Sequence, residues 1–157
     1  MKSASIITKH IMPNVKIFFD SSALVAGIIS ASGAARALLQ LAEIEELDVV
    51  INEQVIAETE RVLARKSPRN LPDFREAIKI VRPLIVRETA KDVQKCLYMI
   101  ADPDDAPILA AAIKAKVDFL ITHNRKHFLD DPKAAEKSGL QIGTPGDALA
   151  WLRQRAS

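Results

Sequence analysis

Three acidic residues of this chain fall on faces where solubility does not call for them. Asp20 ends the β-prone run Lys16-Ile17-Phe18-Phe19, so it sits at a strand's carboxyl end. Glu58 lies between Val55 and Val62 at spacings of three and four, on the helix stripe that should face the core. Asp105 precedes Ile108, Leu109 and Ala112 at helical intervals, which puts it on an inward stripe at a helix N-terminus. In an open α/β sheet, ligands bind outside the carboxyl ends of the strands, and all three carboxylates would converge there. Three gathered anions repel unless a cation sits between them. Oxygen-only ligands favour Mg2+ or Mn2+, which keep several waters and accept phosphate oxygens as further ligands. The chemistry implied is metal-assisted phosphoryl transfer, without a covalent intermediate on any of the acids.

A fourth contribution would come from Thr122-His123-Asn124, which follows an apolar run ending at the same edge. Asn124 offers a neutral oxygen to a metal or its water and Thr122 a hydroxyl. Arg125 and Lys126 could hold phosphate, and Ser22 could orient Asp20. Each residue also has a plainer reading. Asp20 could be a turn residue. Glu58 could pair with Arg61 or Arg65, Asp105 could belong to a capping box opposite Asp102, and Thr122, Asn124, His123 and His127 could be ordinary loop residues. Asp102 and Asp104 read as cap and dipole partners.

The elements that must position these residues alternate in type. The pattern predicts a strand over 16–19 turning into a helix, a helix over 33–42 and a strand over 47–51. Asn52 should cap a helix running to about residue 66, ended by Ser67-Pro68. A weaker helix over 72–80 and a strand over 84–86 follow, and 89–97 is ambiguous. Asp102-Pro103-Asp104-Asp105 is the clearest helix start, with a cap, a proline in the first turn and acids beside the helix dipole. A strand over 119–122, a polar loop over 123–138, a strand over 140–142 and a helix begun by Thr144-Pro145 complete the chain. Short apolar strands alternating with helices predict an α/β fold with a mainly parallel sheet.

Composition narrows the class. With 157 residues, 48% of them apolar, the chain fits one globular domain over 14–157, preceded by a loose extension over 1–13. Cys96 is the single cysteine, which excludes an internal disulfide and a multi-thiolate zinc site. A reducing cytoplasm is the expected location, with no membrane span, and Cys96 should be a packed thiol. The formal net charge of +2 decides nothing about nucleic acid, since clustering of cations matters more than their total.

Four segments together resemble the PIN-domain nucleases, especially the toxin-like (VapC-like) members of prokaryotic toxin-antitoxin systems. They are Ile17-Phe18-Phe19-Asp20-Ser21-Ser22, Val55-Ile56-Ala57-Glu58-Thr59, the run from Asp102 to Ala112, and Leu120-Ile121-Thr122-His123-Asn124. The resemblance implies a three-layer α/β/α fold and a Mg2+- or Mn2+-dependent endoribonuclease with metal-binding acids at Asp20, Glu58 and Asp105. It also implies an antitoxin protein that blocks the site and a homodimer; Leu38, Leu39 and Leu41 could serve that dimer or merely the core. Two positions depart from the family pattern. Asn124 stands where a fourth acid is frequent, and His127-Phe128 stands where many toxin members have an Asp before the Phe. Loss of one anionic ligand should weaken a second metal more than the first, and His127 could instead position water or phosphate. The departure at Asn124 motivates an alternative, a catalytically inactive RNA- or protein-binding module. A dehalogenase-type phosphotransferase would need a second Asp where Ser22 stands.

Overall fold

β1 (Lys16–Phe19) buries its last three residues completely, with no face left for solvent. That is the pattern of a central strand covered on both sides. The computed structural model describes residues 14–156, so the expected extension over 1–13 lies outside the described residues. β1 pairs in parallel with β2 (Asp48–Asn52) on one side and with β4 (Phe119–Ile121) on the other. β3 (Leu84–Val86) and β5 (Ile142–Gly143) complete a five-stranded sheet of order β3-β2-β1-β4-β5. Every pairing is parallel, so the expected mainly parallel sheet is wholly parallel.

The connecting helices are α1 (Ser21–Ile29), α2 (Ala34–Glu43), α3 (Glu53–Lys66), α4 (Leu71–Val81), α5 (Ala90–Cys96), α6 (Ala106–Lys114), α7 (Lys133–Ser138) and α8 (Pro145–Ala156). They pack in two sets, α1 to α4 with α8 and α5 to α7, against a core that includes Phe18, Phe19, Leu38, Leu63, Leu109 and Leu120. This is the three-layer α/β/α arrangement. Cys96 is buried and free, as its lone occurrence suggested. Among the described residues no single helix is long and apolar enough to cross a membrane.

Local signals account for most boundaries. Asn52 caps α3 by accepting from the Val55 N–H at 3.0 Å, and its amide reaches the Glu88 carboxylate and the Pro107 carbonyl. Arg82 adopts the left-handed region at φ 49° and ends α4 just before Pro83. The ambiguous stretch over 89–97 is helical because Thr89 and Asp92 form a reciprocal capping box. The polar loop expected over 123–138 needs correction. It contains a π-helical turn, Arg125–Leu129, anchored by buried Phe128, and then the short helix α7.

The strand order places the topological switch between β1 and β4, because the chain leaves β1 toward β2 and later returns to the opposite side. The crevice at such a point is where an open parallel sheet takes its ligand. Asp20 leaves β1 and Thr122 leaves β4 at that edge. The Asp20 N–H donates to the Ile121 carbonyl at 3.1 Å, and the Thr122 N–H to that of Gly143 at 3.0 Å.

Candidate active site

Asp20 is buried, 7% exposed, and its backbone turns the chain from β1 into α1. Oδ1 caps α1 by accepting from the Ser22 N–H at 3.3 Å and also lies 3.1 Å from the Ser21 hydroxyl. Oδ2 accepts from the fully buried Thr122 hydroxyl at 2.6 Å. Glu58 reaches the same place from α3, with Oε2 at 2.8 Å from Ser21 Oγ. Gln54, one turn earlier on α3, donates to Glu58 Oε1 at 3.1 Å and to the Asp104 carbonyl at 3.0 Å. Through Gln54 the Glu58 side chain is tied to the turn that carries Asp105.

That turn is a 3-10 segment, Pro103–Asp105, capped by Asp102, whose Oδ1 accepts from the Asp104 N–H at 2.9 Å. The helix start is therefore built as the sequence indicates, with Asp105 at the cap position of α6. Asp105 Oδ2 is buried. It meets Nδ1 of His127 at 2.6 Å as an ion-pair contact, yet no donor hydrogen is aligned on it. Burial pushes the Asp105 carboxyl up from the ordinary 3.8 to about 6, and the nearby charges of Asp102 and Asp20 raise it further, against the opposing pull of His127.

The candidate residues thus fall into two linked groups. Asp20 and Glu58 meet on the Ser21 hydroxyl, and Asp105 meets Asp102 and His127. Thr122 joins them, since its Oγ1 also accepts from the Asn124 N–H at 2.9 Å, and Asn124 opens the turn that carries His127. Asn124 is less available than expected as a ligand. Its Oδ1 accepts from the His127 N–H at 3.2 Å, and its Nδ2 lies 3.2 Å from the ring. Ser22 orients Asp20 through its backbone; its hydroxyl instead accepts from the His123 N–H at 3.0 Å and lies 3.4 Å from Thr122 Oγ1. Arg125, proposed for phosphate, pairs with Asp130 at 3.1 Å on the surface.

Ser21 and Gln54 are the residues of the candidate site that sequence reasoning missed. Gln54 had a readable signal, one helical turn before Glu58. Ser21 is brought in by a contact across the fold, and His127, expected to position water or phosphate, instead lies against Asp105. Concavities of about 760 and 630 Å3 open elsewhere, the first beside Lys16, Ile80 and Arg82 and the second between α2 and α8. Neither is lined by Asp20, Glu58 or Asp105.

A family profile described as PIN domain matches residues 16–126. The chain belongs to the PIN-domain family. No curated protein sequence matches it significantly. Among solved structures, the PIN domain described here is similar to VapBC2 from Rickettsia felis bound to a DNA fragment from its promoter, at 19% identity and TM-score 0.57, covering 82% of this chain and 97% of that one. It is also similar to PAE2754 from Pyrobaculum aerophilum, at 17% identity and TM-score 0.53, covering 91% and 97%. At these identities the likeness is one of fold.

The raised pKa of Asp105 sets a pH dependence for the metal-free PIN domain. Between about pH 4 and 6 the folded chain holds a proton that the unfolded chain has released. Asp105 therefore favours the folded state at low pH, and that contribution is lost as pH rises through about 6. Thermal melts in chelator should show Asp105→Asn raising Tm at pH 7.5 and flattening its change between about pH 4 and 6. An unchanged profile would contradict this environment for Asp105.

Proposed function

We propose that this PIN domain is a metal-dependent endoribonuclease in which Asp20, Glu58 and Asp105 hold Mg2+ or Mn2+. The observation that carries the reading is the shared Ser21 hydroxyl. It lies within hydrogen-bonding distance of both the Asp20 and the Glu58 carboxylates, but it has one hydrogen and can donate to only one of them. Among the described residues no Lys or Arg makes an ion pair with Asp20, Glu58 or Asp105. The donor set is anionic, rich in oxygen and short of cations, and a buried oxygen of Asp105 has no aligned donor. It fits a hard divalent ion.

A divalent ion held there would supply an activated water and neutralise charge on the phosphate. The chain's own part is positional. Thr122 and the Ser22 N–H fix the two Asp20 oxygens, and Gln54 holds Glu58 toward the Asp105 turn. Thr122, Ser22 and Asn124 support the acids in this reading. Family membership supports a nuclease or toxin-antitoxin role. The fold likeness to VapBC2 supports assigning the toxin component of a type II toxin-antitoxin system, with an antitoxin protein as partner. A homodimer working in the cytoplasm completes the proposal.

Asn124 favours a second reading, the inactive binding module, because its amide is occupied by His127 at the position where the family frequently has an acid. Purified protein should be given labelled RNAs and single-stranded DNAs with Mn2+, Mg2+ or chelator. The nuclease reading expects RNA cleavage that needs the metal. Absence of cleavage, with RNA retained on the protein, supports the binding module.

A further inference from the structure

Asp102, Asp105 and His127 form a constellation that the nuclease reading uses only in part. Among the described residues these three side chains bring one ligand atom each within 4.8 Å of one another. They come from two segments. Asp102 and Asp105 flank the 3-10 turn before α6, and His127 is carried by the π-helical turn after β4. Buried Phe128 anchors that turn and Asn124 Oδ1 accepts from the His127 N–H, so the imidazole is held in place by its backbone.

The imidazole faces an acid at each nitrogen. Nδ1 lies 2.6 Å from Asp105 Oδ2, and Nε2 lies 3.8 Å from Asp102 Oδ2. The second separation is beyond hydrogen-bond reach, so Nε2 and Asp102 do not satisfy each other. It does suit two ligands of one ion, each about 2.0–2.2 Å from it. A carboxylate on the other ring nitrogen is the usual device for orienting a metal-binding imidazole; Asp105 Oδ2 stands 2.6 Å from that nitrogen, and a small turn of the ring would align the Nδ1 hydrogen that does not yet point at it. The side chains of His127, Asp102 and Asp105 are 28%, 36% and 17% exposed, sheltered yet open to an entering ion.

We infer that Asp102 and the Nε2 of His127 hold a divalent transition-metal ion, with Asp105 placed against the Nδ1 of the same ring, so that this site takes Mn2+, Co2+ or Zn2+ in preference to Mg2+. A nitrogen ligand favours transition ions, whereas Mg2+ is held by oxygen and water. The inference rests on the metal-dependent reading above and names the ion class for the same edge of the sheet.

The test is Mn2+ binding to the full chain, followed by electron paramagnetic resonance with echo-modulation detection of ligand nitrogen. Wild type should show a nitrogen coupling that His127→Ala and His127→Gln both lose, with melts confirming that the variants fold. The Mn2+ Kd should rise about tenfold or more in each variant, and Zn2+ should displace Mn2+ at far lower concentration than Mg2+ does. Bound Mn2+ without nitrogen coupling, an unchanged Kd in both variants, no Mn2+ binding at all, or displacement by Mg2+ as readily as by Zn2+ would overturn the inference. RNA cleavage on the same samples separates the two proposals. Nitrogen coupling without cleavage sinks the nuclease and leaves the site, and cleavage with oxygen-only Mn2+ does the reverse.

Discussion

Asp20→Asn is expected to lower metal-dependent RNA cleavage by about 10²–10³-fold, while Tm in chelator stays unchanged or rises. A metal ligand contributes to stabilising several kcal/mol of developing charge, which corresponds to two or three decades in rate. The fold should survive because the substitution keeps what the backbone needs. An Asn oxygen can still accept from the Ser22 N–H and cap α1, as Asp20 Oδ1 does at 3.3 Å. The new amide faces Thr122, whose hydroxyl oxygen can accept where its hydrogen now donates to Oδ2 at 2.6 Å. One buried anion also disappears from beside Glu58, with which it shares Ser21, and that relieves repulsion when no metal is present. Cleavage rates with Mn2+ and melts with chelator, on the same preparations, check both halves. A collapse of Tm would make Asp20 a structural residue, and retained cleavage would remove it from the metal site.

The acids were legible in the sequence because a charge on an inward stripe conflicts with the local pattern. Conflicts of this kind gather at functional sites. Asp20, Glu58 and Asp105 each carried such a conflict, and β1, β2, β3 and β4 were readable as short apolar runs. Asn52 was readable as a cap and is one. The contacts that assemble the site were not legible, since they join residues distant in the chain. Ser21 meets Glu58 from another helix, Gln54 reaches a carbonyl on the Asp102 turn, and His127 docks on Asp105 from a different loop. Residues 123–138 misled for a physical reason. A five-residue π-helical turn and the six-residue α7 are too short for apolar periodicity to show. The last strand lies at Ile142–Gly143, later than the expected 140–142, with a register set by pairing to β4. The capping box of Thr89 and Asp92 was present in the sequence and would have resolved the ambiguous stretch.

Thr122→Val should destabilise the protein by about 2–3 kcal/mol, although valine matches threonine in shape. Thr122 is fully buried, and its hydroxyl serves two groups at once. It donates to Asp20 Oδ2 at 2.6 Å and accepts from the Asn124 N–H at 2.9 Å. A methyl group in its place leaves a buried carboxylate oxygen and a backbone N–H without those partners, and unsatisfied groups carry the desolvation cost in full. Thr122→Ser keeps the oxygen and loses one methyl, so it should recover most of the loss. Chemical denaturation of the two variants separates the hydroxyl from the packing. A valine variant within about 0.5 kcal/mol of wild type would mean that the hydroxyl is not needed there. The partner in this interaction can be identified by a double-mutant cycle with Asp20→Asn. If part of the valine penalty is an orphaned carboxylate, it should shrink once residue 20 is a neutral amide. The remaining cost would then report the Asn124 N–H together with the neutral residue 20 amide that Thr122 would otherwise accept from. Additive penalties would place the role of Thr122 in the Asn124 turn and detach it from Asp20.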